Sequence, residues 1–276
     1  MLLNRWCVFA PGKLAKQPFE RQRRFAGIAR LYGDEAARRL SSAHVAVAGL
    51  GGVGSWSVEA LARSGLGQIS CIDLDIVSES NTNRQIQALG DEYGKSKVEV
   101  MAQRVLAINP LCRVNALDDY ISEQNIDALL ASNIAAMIDA TDQVSAKLAM
   151  VLWCAQHNVP LISVGASGGK FDPTALRIAD LSEVSHDRLL SRLRSELRRN
   201  HGFARGDTTK GTKTNPMGVQ VVYSPETTQH HLASDLPGGT LGCSGYGSSV
   251  CVTASFGFTA AAWVLKMLSS QPAGSN

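Results

Sequence analysis

The stretch HVAVAGLGGVGS, His44 to Ser55, decides the fold. Residues 44–50 form a short apolar run that breaks into glycines, which reads as a buried strand, and the apolar spacing from Val53 to Leu61 reads as a helix. Between them Gly49, Gly51, Gly52 and Gly54 satisfy the pattern GxGxxG. Glycines there let the backbone approach a phosphate, and the helix start offers unpaired N–H groups and the positive end of its dipole. Asp73 follows Gly54 by 19 residues, close to the ~20-residue spacing of an acid that binds a ribose. Taken alone, these features suit a nicotinamide- or flavin-dependent oxidoreductase.

Working outward, QISCIDLD (68–75) is the next strand, and a helix from about Lys95 runs to Ile108, stopped by Asn109-Pro110. The strand RVNALDDY, a helix around 125–130, the strand AAMIDAT, a helix from Gln143 to His157 and the segment PLISVGASGG continue the alternation. Strands and helices alternating at this spacing imply parallel strands with right-handed crossovers. Beyond Gly169 the order changes to a strand ALRIADL, a basic helix DRLLSRLRSELRRN and a strand GVQVVYS. The expected fold is therefore α/β: a Rossmann-like, doubly wound, mostly parallel sheet with an antiparallel C-terminal extension. Residues 1–23 read as a basic tail, 24–270 as a single domain with a mobile loop at about 203–216, and 271–276 as a C-terminal tail.

The chain has 276 residues, 45% of them hydrophobic and 18% charged, the composition of a globular protein. Its 27 Lys and Arg against 24 Asp and Glu leave +3. The positive charge is concentrated: seven basic residues against one acidic from Met1 to Arg30, and eight against three from His186 to Lys213. The six cysteines, at 7, 71, 112, 154, 243 and 251, include no CxxC pair, which argues against a structural zinc site and suits a reducing cytoplasm. The N-terminus lacks the apolar run of a signal peptide. Val250 to Leu268 is nearly uncharged over about the length a bilayer requires, leaving membrane association through this segment open, but interrupting Ser, Thr and Gly favour a buried helix.

The stretch SESNTNRQ (78–85) separates the nucleotide chemistries. A hydride-transfer site has no use for the cations it brings. Arg84, and Lys97 beyond the next helix start, offer fixed positive charge where a triphosphate leaving the glycine loop would extend, which is what phosphoryl or nucleotidyl transfer requires. Asn81 and Asn83 are candidates to hold phosphate or ribose oxygens. Thr141-Asp142 ends another strand on the same edge, which places Asp142 to hold a magnesium ion through its water shell; an aspartate at a helix start is also a favoured cap. Together these residues read as a site for ATP and Mg2+.

GLGGVGS (49–55), DLDIVSESNTNRQ (73–85), GKSKVE (94–99) and DATD (139–142) resemble, in order and spacing, the core motifs of the ThiF/MoeB/HesA superfamily of ubiquitin-activating-enzyme-like adenylyltransferases. The resemblance implies ATP-dependent adenylation of a carboxylate with release of pyrophosphate. It puts Asp73 on the ribose, Asn81, Arg84 and Lys97 on the phosphates and Asp142 on magnesium, with Asp75, Asn83 and Gln85 in the same site; Arg84, Lys97 and Asp142 carry the catalytic roles. The paired CxxC ligands of the sulfur-carrier activators are missing. Instead, residues 24–33, 180–199, 218–226 and GCSGYGSSVCVTASFGF (242–258) are similar to the tRNA threonylcarbamoyladenosine dehydratases. That branch implies an RNA substrate and not DNA: the carboxylate of a threonylcarbamoyl group on an adenosine beside the anticodon is adenylated and then cyclised.

The same resemblance implies a homodimer in which Arg24 or Arg30 reaches the neighbouring site. It points to Arg188, Arg192, Arg194, Arg198, Arg199, Lys210 and Lys213 as the tRNA-binding patch. Cys243 stands where a thiol either accepts sulfur or an acyl group from a sulfur-relay partner or serves as a loop cysteine. Activation of a ubiquitin-like sulfur-carrier protein is the alternative function.

Overall fold

The computed structural model describes residues 6–9, 21–130, 133–204, 215–228 and 246–270. Eight strands, β1 (Trp6–Phe9), β2 (His44–Ala48), β3 (Gln68–Ile72), β4 (Arg113–Leu117), β5 (Ala136–Asp139), β6 (Leu161–Val164), β7 (Arg177–Asp180) and β8 (Gln220–Tyr223), form one sheet in the order β1-β4-β3-β2-β5-β6-β8-β7. From β4 to β8 every pairing is parallel. The chain leaves β2 toward β3 on one side and returns to β5 on the other. That reversal opens a crevice at the carboxyl ends of the strands, where ligands bind in such sheets.

Alternation along β2 explains how the sheet is covered. Val45 and Val47 are buried in one core with residues of α3 (Gly54–Arg63), α4 (Lys97–Ile108) and α8 (Val250–Ser270), whereas Ala46 and Ala48 are buried in another with α5 (Ile126–Leu129) and α6 (Val144–His157). Successive side chains of a strand face opposite sides, so a strand covered on both faces must be apolar throughout, as this one is. On the C-terminal side, α7 (Arg188–Asn200) buries Leu190, Leu193 and Leu197 in a core shared with β8 and turns Arg188, Arg192 and Arg199 outward. Near the N-terminus, α1 (Arg21–Tyr32) and α2 (Asp34–Ser42) lead into β2.

The apolar segment after residue 250 is long enough to cross a membrane by length and composition. In the fold it packs along α3: Phe256, Ala260, Ala261 and Val264 are fully buried, and Ser57 Oγ donates to Gly257 O at 2.9 Å. A Cβ at Gly257 would stand 2.4 Å from Val53 O, so the glycine sets the closeness of the two helices.

Two differences from the sequence reading concern the edges. The basic tail contains β1, which runs antiparallel to β4 with Trp6 opposite Leu117 and Phe9 opposite Val114. Four β-favouring residues suffice here because β4 would otherwise expose an unpaired edge. Antiparallel pairing is therefore not confined to the C-terminal extension. Within that extension only β7 is antiparallel; β8 continues the parallel sheet beside β6.

Candidate active site

A cavity of about 370 Å3 occupies the crevice, lined by the glycine loop, Asp73, Arg84, Lys97 and Asp142 among others. The glycines there do distinct jobs. Gly49 has φ +83°, and a Cβ on it would lie 2.8 Å from Ala140 O; one on Gly54 would lie 1.8 Å from Gly49 O, so loop, strand end and helix start touch backbone to backbone. A Cβ at Gly52 would meet Arg84 Cγ at 3.0 Å, so the arginine lies across the loop where only a hydrogen stands. Gly51 meets nothing within 4 Å and faces open space. No side chain caps α3; Ser55 N–H donates to Gly51 O at 3.2 Å, and the first-turn N–H groups of Gly54 and Trp56 are left for an anion in the crevice.

Asp73 is held by the same loop: its carboxylate accepts from Leu50 N–H at 2.5 Å and from Asp75 N–H at 2.8 Å. Burial pushes its pKa up, opposed by Lys97 and by those two N–H groups. Lys97, the first residue of α4, is buried with its ammonium 2.7 Å from Asp75 Oδ2 and 3.8 Å from Asp73 Oδ1. Its placement in the crevice follows the sequence reading; its pairing with Asp75, whose carboxylate is largely exposed, does not. A phosphate entering there would share the ammonium with Asp75, not find it free.

The stretch 78–85 divides into ligand-facing and positioning residues. Arg84 Nη1 donates to Ser80 O at 2.8 Å and to Asn83 Oδ1 at 2.9 Å, which fixes the guanidinium over the loop. Asn83 also donates from Nδ2 to Ser248 O, at 2.9 Å, just before α8. Both ends of its amide are used and it does not line the cavity, so the structure makes it an orienting residue instead of a phosphate ligand. Asn81 lines the cavity, but its Oδ1 accepts from Ser78 N–H at 3.0 Å in a capping box. Gln85, also in the lining, accepts at Oε1 from Gln87 Nε2, which in turn holds Leu50 O at 2.8 Å. Gln87, buried and tying this stretch to the glycine loop, escaped the sequence reading.

Asp142 is exposed, with no hydrogen bond or ion pair to its carboxylate among the described residues. It does not cap the following helix: the N-cap of α6 is Gln143, and no side chain bonds there. Among the described residues no group of three His, Cys, Asp or Glu side chains converges. One carboxylate over an anion-binding loop fits an ion such as Mg2+, which keeps water ligands and shares itself with phosphate. Beneath Asp142 lies a network that the sequence did not announce. Fully buried Lys147 donates to Asp139 Oδ2 at 3.0 Å, Ser163 Oγ at 3.2 Å and Val164 O at 2.7 Å, while Asp139 Oδ1 accepts from Thr141 N–H and Oγ1 at 3.1 and 2.7 Å. A lysine in VSAKLAM reads as a solvated helix residue, and only the fold brings it under the strand ends.

Of the arginines assigned across a dimer, Arg24 donates to Ala107 O and Ile108 O at the end of α4, at 3.2 and 2.7 Å, and Arg30 is exposed on α1; neither lines the cavity. Along α7 the basic residues divide. Arg194 donates to Leu181 O and Val184 O, and Arg198 to Ala204 O, so these two hold the fold, whereas Arg188, Arg192 and Arg199 are exposed. Lys210, Lys213 and Cys243 lie outside the described residues.

Of the five described cysteines, Cys7 and Cys251 are exposed and Cys71, Cys112 and Cys154 buried. Burial pushes the Cys154 thiol up to about 12, so it stays protonated at ordinary pH and does not react as a thiolate. Alkylating the native protein at about pH 8 and mapping peptides by mass is expected to label Cys7 and Cys251 and spare the buried three until the chain is unfolded.

The chain matches the ThiF family over residues 21–276. It is 38% identical to the tRNA threonylcarbamoyladenosine dehydratase of Escherichia coli (strain K12) over 262 residues, covering 91% of this chain and 96% of that protein. Identity to the enzyme of the same name from Haemophilus influenzae is 40% over 248 residues, covering 90% and 94%. The crystal structure of the E. coli enzyme, TcdA, in complex with ATP superposes with a TM-score of 0.81 at 39% identity, covering 92% of this chain and 97% of that one. With the strand order, the glycine loop and the cations at its mouth already in place, these matches make the chain a member of the ThiF family.

Proposed function

We propose that this protein is an ATP-dependent tRNA threonylcarbamoyladenosine dehydratase. The observation that carries the reading is Arg84 laid across Gly52, its guanidinium anchored by Ser80 O and Asn83, at the mouth of a glycine loop that also faces Lys97. This is fixed positive charge at a phosphate-binding turn. The similarity to enzymes bearing that name supports the choice of substrate.

In the proposed reaction a carboxylate oxygen of the threonylcarbamoyl group attacks the α-phosphorus of ATP, the bond to the β-phosphate oxygen breaks and pyrophosphate leaves. The carbamoyl nitrogen or oxygen then attacks the activated acyl carbon, losing its proton to solvent, and AMP departs with the original carboxylate oxygen. The elements of water are thereby removed from the base. Ring closure is intramolecular, so effective molarity substitutes for an enzyme nucleophile. The chain's work is to bind and orient: first-turn N–H groups of α3 on phosphate, Asp73 on the ribose hydroxyls, and Arg84 and Lys97 on the charge that accumulates as pyrophosphate leaves. Mg2+, held by Asp142 and phosphate oxygens, would neutralise phosphate charge. The reading extends to a cytoplasmic homodimer, in keeping with the absence of a disulfide among the described cysteines.

The test is pyrophosphate and AMP formation from purified protein and ATP. Turnover is expected with threonylcarbamoylated tRNA and not with tRNA lacking the modification. Turnover with a sulfur-carrier protein, or equally fast with unmodified tRNA, rejects the substrate assignment.

A further inference from the structure

Beside the nucleotide crevice lies a second cavity of about 400 Å3. The two share Asp142, Gln143, Ala166 and Leu189 as a common wall. A group seated in the second cavity therefore stands next to the end of the first where the glycine loop and Asp142 meet. We propose that the second cavity is the acceptor subsite: it takes the modified adenosine, splayed out of the anticodon loop, and presents the carboxylate across the common wall to ATP. This rests on the adenylation reading above and adds to it the place where the RNA base goes.

Size, charge and lining each favour that occupant. The volume falls in the roughly 300–1,000 Å3 range of small-molecule sites, which suits a single nucleoside with its side arm and not a duplex. Arg188 and Arg192 line the cavity from one face of α7, a turn apart and ~6 Å along the axis. Neither guanidinium has a hydrogen bond or ion pair among the described residues, while Arg194 and Arg198 on the same helix spend theirs on backbone carbonyls. Two cations left over at one mouth suit successive anionic groups, the phosphates flanking a splayed base. Lys170 adds charge to the wall, but its ammonium already donates to His186 O, Ser224 O and Glu226 O. Val144, Ala166 and Leu189 give apolar surface, and the ring of Tyr246 offers a face for a base. A carrier protein's extended tail would instead call for a line of backbone partners along a strand edge.

Ser145 separates the two cavities experimentally: it is exposed, lines the second and is absent from the lining of the first. Ser145→Trp should fill the subsite without touching the core, with Ser145→Ala as its control. Two quantities are measured on each protein: ATP affinity by calorimetric titration, and affinity for an anticodon stem-loop with and without the threonylcarbamoyl group. The expected result is that S145W binds ATP as the wild type does but loses its preference for the modified stem-loop, while S145A keeps it. Arg188→Ala with Arg192→Ala should weaken both stem-loops, by roughly tenfold or more at low salt. An S145W protein that still prefers the modified stem-loop and turns over modified tRNA overturns the subsite and leaves the adenylation reading intact. Wild-type protein that prefers the modified stem-loop yet releases no pyrophosphate, with S145W abolishing the preference, upholds the subsite and removes the adenylation reading. Binding of a peptide ending in two glycines that S145W abolishes, with no preference among stem-loops, makes this a carrier-tail site and overturns the proposal.

Discussion

Arg84→Ala is expected to slow pyrophosphate release by roughly 10²–10³-fold at saturating ATP and tRNA, the cost of deleting one preorganised donor aimed at developing charge. Melting temperature should hardly move. Among the described residues the side chain is tied only to Ser80 O and Asn83 Oδ1, near the surface. The bond that fastens this stretch to α3, Trp56 Nε1 donating to Arg84 O at 2.9 Å, uses the backbone and survives the substitution. Lysine at 84 should recover little, because a point charge cannot bond Ser80 O and Asn83 while also facing a phosphate. Asn83→Ala should cost less, since Ser80 O still restrains the guanidinium, and should act on rate through Arg84 alone: in an Arg84→Ala background it should add almost nothing. Initial-rate measurements on the two single variants and the double variant decide the point. Additive losses would mean that Asn83 meets substrate itself, and an Arg84→Ala rate within twofold of wild type would remove Arg84 from the reaction.

That distinction between Arg84 and Asn83 marks how far the sequence could be read. GxGxxG after a strand, an acid 19 residues on, and cations just beyond are local patterns, and each sits at the strand ends as expected because the βαβ topology leaves one place for it. What the sequence did not carry is which end of an amide is already occupied. Asn81 and Asn83 are the same residue type two positions apart, yet one lines the crevice and the other ties it to the segment before α8, 165 positions away. The helix α7 repeats the lesson. Its arginines look alike in DRLLSRLRSELRRN, but the burial of Leu190, Leu193 and Leu197 fixes the helix's rotation and hence which guanidinia meet carbonyls and which stay exposed.

Lys97 shows a related limit. Its position at the start of α4 was legible; its two carboxylate neighbours were not, because Asp73 and Asp75 reach it only where the segment after β3 meets the start of α4, with Ile76 bridging Ser96 and Lys97 N–H donating to Asp75 O. Their effect is physical: a buried ammonium without an anion would be costly, so the pair keeps Lys97 in place before ATP arrives. Binding then exchanges part of a carboxylate partner for a phosphate, a smaller change in charge than neutralising a bare cation. Edge strands were hidden for the opposite reason. WCVF is only four residues long, and its pairing partner, β4, lies more than 100 positions later.

Lys147→Met is expected to be the most damaging single change to the fold. Lys147 and Asp139 are both fully buried at 3.0 Å, and the ammonium spends its donors on Asp139, Ser163 Oγ and Val164 O. Removing the lysine leaves a carboxylate buried in the sheet with Ser163 Oγ and Thr141 as its remaining donors. Stranding one member of a buried pair costs about 3–5 kcal/mol, a large share of the roughly 5–15 kcal/mol that holds a typical domain together. Lys147→Met with Asp139→Asn removes the stranded charge and should recover a substantial part of the loss, because replacing both partners of a buried pair is far cheaper than replacing one. Urea unfolding of the two single variants and the double variant supplies the cycle. A coupling near zero would mean that the ammonium and carboxylate do not depend on each other. The consequence for the reaction follows from Asp139 Oδ1, which holds the Thr141 backbone and hydroxyl one residue before Asp142. In the double variant the side-chain oxygen at 139 still accepts from Thr141 N–H and Oγ1, while the new amide nitrogen takes the side that faced Lys147 and Ser163 Oγ. Where the double variant is stable, the turn before Asp142 and Arg84-dependent turnover should therefore both be retained.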